Sequence, residues 1–101
     1  MDRKKTQILL VEDDDTDIES VQRAFREYSE EYNIIVSSNL FDAKAKITEI
    51  SPDIVITDLF LPDGSGIELL PTEKNDLVHP FILLTGKGDE EKAVNAIKGV
   101  R

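Results

Sequence analysis

Ile8-Leu9-Leu10-Val11-Glu12-Asp13-Asp14 runs four apolar residues straight into three carboxylates, and its reading decides the fold. Three other short runs, Ile34–Val36, Ile54–Ile56 and Phe81–Leu84, share its apolar make-up. Each is β-branched or aromatic enough for a strand, and none alternates with polar residues. Continuous short runs of this kind suit strands covered on both faces, as in a parallel sheet.

Helical patterns lie between the runs. Thr16-Asp17-Ile18-Glu19 reads as a capping box with Thr16 as the cap. Behind it Ile18, Val21, Phe25, Tyr28 and Tyr32 recur at three-then-four spacing and form one apolar stripe. Leu40, Ala43, Ile47 and Ile50 repeat the spacing behind a cap at Asn39, and Pro52 closes that helix. Asp63-Gly64-Ser65-Gly66 is a turn; Ile67, Leu69 and Leu70 then begin a third helix that Pro71 interrupts. A fourth helix starts near Asp89, turns Ala93, Val94 and Ile97 inward and meets Gly99 as its C-cap. Strand and helix alternate four times, which indicates an α/β domain with a doubly wound parallel sheet and right-handed crossovers.

The composition bounds what such a domain does. The chain has 101 residues, 12 Lys and Arg against 21 Asp and Glu, a net charge of −9 and no cysteine. That length fits one domain. Without cysteine there is no disulfide scaffold and no thiolate metal site. A pI near 4.5 argues against nucleic-acid binding, because neutralising phosphates needs clustered Lys and Arg. The basic cluster Arg3, Lys4 and Lys5 precedes an apolar run too short for a signal peptide or a membrane span, so the expected address is the cytoplasm, with no membrane partner.

In open α/β sheets, ligands sit outside the carboxyl ends of the strands. The residues that follow each run are therefore the candidates: Glu12, Asp13, Asp14 and Asp15 after Val11, Asp58 after Ile56 and Thr57, and Thr85 with Gly86 after Leu84. After Val36 come only Ser37 and Ser38. Carboxylates gathered in one cleft repel one another unless a cation sits among them, and oxygen-only ligands favour a hard ion, Mg²⁺ above all. A neighbouring hydroxyl then suits a phosphoryl oxygen. Asp14, Asp15 and Asp17 have a plainer role at a helix N-terminus, where acids complement the macrodipole. Asp58 stands apart from these, since it follows a buried strand and precedes Leu59-Phe60-Leu61.

Competing motifs fit less well. Asp13, Asp15 and Asp17 mimic the first ligands of an EF-hand loop, but the glycine position holds Ile18 and the closing glutamate position holds Ala24. Phosphohydrolases with an Asp nucleophile on an α/β sheet carry Thr or Val four residues after it, where this chain has Asp17; they remain a distant alternative. His79, the single histidine, reads as a loop residue, and Gly64-Ser65-Gly66 lacks the lysine of a P-loop.

Ile8 to Asp14, the stretch Ile54-Val55-Ile56-Thr57-Asp58-Leu59-Phe60-Leu61-Pro62-Asp63-Gly64-Ser65-Gly66, and Phe81 to Gly86 together closely resemble the receiver domain of bacterial and archaeal response regulators, the flavodoxin-like (CheY-like) fold. The resemblance runs from about Thr6 to the last residue. It implies that Asp58 is the phosphoacceptor, taking a phosphoryl group from a histidine kinase or phosphotransfer protein in a two-component phosphorelay. It implies a Mg²⁺ site made by Asp13 directly, Glu12 through water, Asp58 and the Phe60 backbone carbonyl. It makes Thr85 the hydroxyl that bonds the phosphoryl group and reports it to the surface. Such a domain is a signalling switch that assists only its own phosphorylation and dephosphorylation. The alternative is a receiver-shaped interaction module without productive phosphorylation.

Two departures from the family accompany the resemblance. Pro71 falls where the third helix should continue. The family's (βα)5 pattern has a fifth strand ending in Lys-Pro and a fifth helix, whereas only four βα units are present, and Lys87 and Lys98 lie on other elements. Residues 1–101 are thus expected to be one receiver domain lacking the C-terminal strand and helix. The fourth strand would be an exposed edge open to self-association, and Val21, Phe25 and Tyr28 would be partly uncovered.

Overall fold

The computed structural model describes residues 5–70, 80–86 and 89–99. Strand β1 (Thr6–Val11) leads to helix α1 (Asp15–Phe25), strand β2 (Tyr32–Ser37), helix α2 (Leu40–Ile50) and strand β3 (Ile54–Asp58). A two-residue hairpin, β4 (Phe60–Leu61) and β5 (Gly64–Ser65), feeds a 3₁₀ turn at Gly66–Leu69. Strand β6 (Phe81–Leu84) and helix α3 (Asp89–Gly99) complete the order. The main sheet is parallel, in the order β2-β1-β3-β6, as expected of a doubly wound α/β domain.

The continuous apolar runs are explained by the two faces they cover. Ile8, Leu10, Ile56 and Leu84 point to one side, under Val21 and Phe25 of α1 and Ala93, Val94 and Ile97 of α3. Leu9, Val11 and Val55 point to the other, under Leu40 and Ala43 of α2 and Leu61. Every core residue of β1 from Ile8 to Val11 is fully buried, so no position in the run is left for a polar side chain.

Several expectations need correction. The cap of α1 is Asp14, whose side chain accepts the Asp17 N–H at 3.0 Å, and not Thr16. Both are capping types two positions apart, and capping from Asp14 places Asp15 and Asp17 in the first turn, against the positive end of the helix. The apolar stripe stops being helical at Phe25: Tyr28 lies in a 3₁₀ turn and Tyr32 opens β2, although the Phe25 and Tyr32 rings still meet at 5.0 Å between centroids. Asp58 is the last residue of β3 rather than the first after it. Within the stretch expected as a plain turn, residues 63–66, Gly64–Ser65 forms the second strand of a hairpin, and the third helix is a single 3₁₀ turn within the described residues. Gly99 is still inside α3. Val21 and Phe25, expected to be partly uncovered, are buried because α3 packs against α1 on the same face. Pro71, His79 and Lys87 lie outside the described residues.

Asn39 caps α2 as expected, accepting the Asp42 N–H at 2.8 Å. Beyond Ile50 the chain passes through Ser51 in the left-handed region (φ 52°) before Pro52, which ends the helix and turns the chain into β3.

Candidate functional site

The carboxyl edge of the sheet is set by register. Val11 of β1 pairs with Ser37 of β2 and with Thr57 of β3, and Asp58 pairs with Leu84 of β6. Glu12, Asp58 and Thr85 are therefore delivered by three adjacent strands to one edge. Glu12 continues the ladder by one bond, its N–H donating to the Ser37 carbonyl at 2.9 Å, and Leu59 does the same to the Leu84 carbonyl at 2.9 Å. These bonds make the candidate positions extensions of the rigid sheet rather than loose loop residues.

Glu12, Asp13 and Asp58 each bring a carboxylate oxygen within 4.8 Å of the others. Asp13 is exposed, Asp58 half-buried, and Glu12 only 1% exposed. Glu12 Oε2 accepts the Asp14 N–H at 3.2 Å, while its Oε1 is buried and meets no donor. An orphaned buried carboxylate oxygen is costly. Burial pushes the Glu12 carboxyl up to about 7, against the Asp14 N–H, which lowers it, and with Asp58 and Asp17 adding repulsion. The donor set is all oxygen, no lysine or arginine among the described residues pairs with it, and one buried oxygen lacks a donor. These residues fit a hard divalent cation.

The loop after Asp58 is tightly specified. Phe60 donates its N–H to Asp58 Oδ1 at 3.3 Å, and its ring is 71% exposed. Gly66 donates its N–H to the Leu59 carbonyl at 2.9 Å, which brings the 3₁₀ turn against the end of β3. A Cβ on Gly66 would collide with the Asp58 carbonyl oxygen and lie 2.6 Å from Thr57 Oγ1. Ser65 caps the turn in a capping box with Glu68. Asp63 reaches across to α2, accepting the N–H groups of Leu40 at 2.7 Å and Phe41 at 3.0 Å; the Leu40 bond is foremost in holding its carboxyl below the usual range.

On the other flank, Thr85 follows Leu84. Its N–H and hydroxyl both donate to Asp89 Oδ2, at 2.8 and 3.2 Å. Asp63 and Asp89 organise this edge without a sequence signal, because each acts on backbone N–H groups that only the fold or a local turn brings near. Lys98 is not at this edge; its Nζ lies 4.8 Å from the centre of the Tyr28 ring. Glu12 also belongs to a second group of three carboxylates, with Asp17 and Glu90.

Comparison with known proteins agrees with this architecture. The family model of the response regulator receiver domain matches residues 8–99. The chain is 36% identical over 95 residues to the methanogenesis regulatory protein FilR1 of Methanothrix harundinacea, covering 90% of this chain and 21% of that protein. It is 33% identical over 98 residues to the transcriptional regulatory protein ResD of Bacillus subtilis, covering 97% of this chain and 40% of that protein. The chain thus spans well under half the length of these relatives. A crystal structure of a response regulator from Chloroflexus aurantiacus superposes with a TM-score of 0.68 at 25% identity, covering 96% of this chain and 80% of that one.

The fold, the acidic strand ends and these matches define a two-component signalling domain. The chain belongs to the response regulator receiver family, and its sheet is the CheY-like, flavodoxin-like one. No helix among the described residues is long and apolar enough to cross a membrane.

Proposed function

We propose that Asp58 is the phosphoacceptor of this receiver and that a histidine kinase or phosphotransfer protein supplies the phosphoryl group in a Mg²⁺-dependent reaction. The observation that carries the reading is the cluster of Glu12, Asp13 and Asp58 at the carboxyl edge, with the buried Glu12 Oε1 facing no donor. The half-buried Asp58 presents a carboxylate oxygen to the donor phosphorus. The N–P bond of the phosphohistidine breaks as the Asp58 O–P bond forms, and the imidazole nitrogen keeps the bonding pair. Mg²⁺, held by Asp13, Asp58 and the Phe60 carbonyl with Glu12 behind, would neutralise charge on the phosphoryl oxygens. Asp13 and Glu12 hold that charge balance, and the Phe60 N–H keeps Asp58 oriented. The Thr85 hydroxyl, just past the adjacent strand β6, then donates to the phosphoryl group and carries its presence to the surface.

The test is acetyl phosphate with Mg²⁺, followed by intact mass. A phosphoryl-sized gain that disappears in Asp58→Asn and in the presence of EDTA is the expected result. No gain with any small phosphodonor, in a folded sample, overturns the reading and leaves the receiver-shaped interaction module.

A further inference from the structure

The Thr85 hydroxyl is already engaged. Asp89 Oδ2 accepts three donors at once: the Thr85 N–H at 2.8 Å, the Gly86 N–H at 2.9 Å and the Thr85 hydroxyl at 3.2 Å. A threonine hydroxyl has a single proton to give. While it points at Asp89, it is not available to a group on Asp58. The two backbone N–H bonds are the shorter ones and tie Thr85 and Gly86 to Asp89, the first residue of α3. The hydroxyl bond is the longest of the three, and it alone breaks when the Thr85 side chain rotates, leaving the two N–H bonds in place.

We infer that Asp89 is a positioning residue that holds the Thr85 hydroxyl in the unmodified state and sets how readily it turns to the phosphoryl group. The inference rests on the reading of Asp58 and Thr85 given above, and adds to it a competitor for the switch proton. Asp89 is an ionised acceptor, held below the usual carboxylate range by the Thr85 N–H first, so its hold is charge-assisted. A phosphoryl dianion is a stronger acceptor and wins the proton, whereas a weakly charged ligand does not. Thr85 and Gly86 stay tied to Asp89 through the exchange, because their two N–H bonds do not involve the hydroxyl.

The experiment is a double-mutant cycle on Asp89→Asn and Thr85→Ala, reading the dissociation constant of beryllofluoride, a phosphoryl mimic, with Mg²⁺ present. Asparagine keeps an acceptor for the turn but weakens the hold on the hydroxyl. The expected result is roughly five-fold tighter binding for Asp89→Asn, the scale of one charge-assisted hydrogen bond made neutral. In the Thr85→Ala background the same change should fall below about two-fold, because no hydroxyl remains to release. Unchanged binding in the single variant overturns the inference. So does an equal gain in both backgrounds, which would mark a simple loss of negative charge near an anion site. If beryllofluoride does not bind the parent chain, the Asp58 reading fails separately. The side-chain coupling constants of Thr85 then decide: one fixed χ1 rotamer that averages in Asp89→Asn supports the hold, and identical couplings in both refute it.

Discussion

Gly66 lies against the carbonyl of Asp58 so closely that no other residue fits there without displacing either the turn or the end of β3. Asp58 and the 3₁₀ turn are thus one mechanical unit, joined also by the Gly66 N–H to the Leu59 carbonyl. Gly66→Ala must push either the turn or Asp58 aside. Overpacking of this kind costs roughly 1–3 kcal/mol. Denaturant unfolding should show that loss, and the rate of acetyl phosphate modification should fall as well. A variant with parental stability and rate would refute the linkage.

Glu12 gives a pH signature. Its folded carboxyl is raised to about 7 by burial first, so the native state holds a proton that the unfolded chain releases near 4.5. The sign follows: this contribution is fully present below the unfolded value and is lost as pH rises through the folded one. In EDTA, stability should therefore decline between about pH 4.5 and 7, by at most about 3 kcal/mol. If Mg²⁺ binds this cluster as proposed, it competes with that proton, and its stabilising effect should grow over the same range. Thermal unfolding from pH 5 to 8, with and without Mg²⁺, checks both; a flat profile in EDTA for the parent chain, matching that of Glu12→Gln, would count against it.

Asp63 couples the loop after Asp58 to α2 by accepting two N–H groups of its first turn, Leu40 and Phe41. In Asp63→Ala those amides lose their acceptor, and hydrogen exchange at Leu40 and Phe41 should quicken while exchange in β1 stays slow. Uniform acceleration across the sheet would instead mean global destabilisation, and unchanged exchange would mean that the two bonds do not persist in solution.

The sheet and the acidic edge were legible because both depend on local pattern. Four apolar runs mark four strands, and a parallel sheet puts the residue after each run at one edge, which singled out Glu12, Asp13, Asp58 and Thr85 before any contact was known. What escaped depends on choices between near-equals or on tertiary packing. Thr16 and Asp14 are both good caps, and only the bond to Asp17 separates them. Tyr28 and Tyr32 keep helical spacing to Phe25, yet the chain leaves the helix before them and still packs Tyr32 on that ring. That α3 covers α1 is decided by the face on which it lands, which spacing within α3 does not encode.

Burial under α3 makes Phe25 a measure of that packing. The ring is 2% exposed, within a cluster that includes Val94 and Ile97 of α3. Phe25→Ala should cost about 3–5 kcal/mol, a large share of the stability of a domain this small. Urea unfolding should register it, with Ile97→Ala destabilising less. Equal stability of the Phe25 variant and the parent would mean that α3 does not cover this face in solution.

The last prediction concerns the edge of the sheet. Among the described residues β6 pairs only with β3, and none of them pairs with the other side of Phe81–Leu84. Phe81 packs toward the α2 face and Ile82 toward the α1 face, but Leu83 joins neither cluster and stays partly exposed. An apolar edge with free backbone groups is a template for pairing with a second copy of the chain. Two copies meeting there would extend the sheet and cover Leu83. Leu83→Lys places a charge on that edge without emptying the core, so it should suppress association while leaving unfolding free energy nearly unchanged. Sedimentation velocity over a range of concentrations reads the outcome. The parent chain should shift to a larger species as concentration rises and the variant should remain a monomer; a parent chain that stays monomeric and cooperatively folded at high concentration would show the edge to be inert.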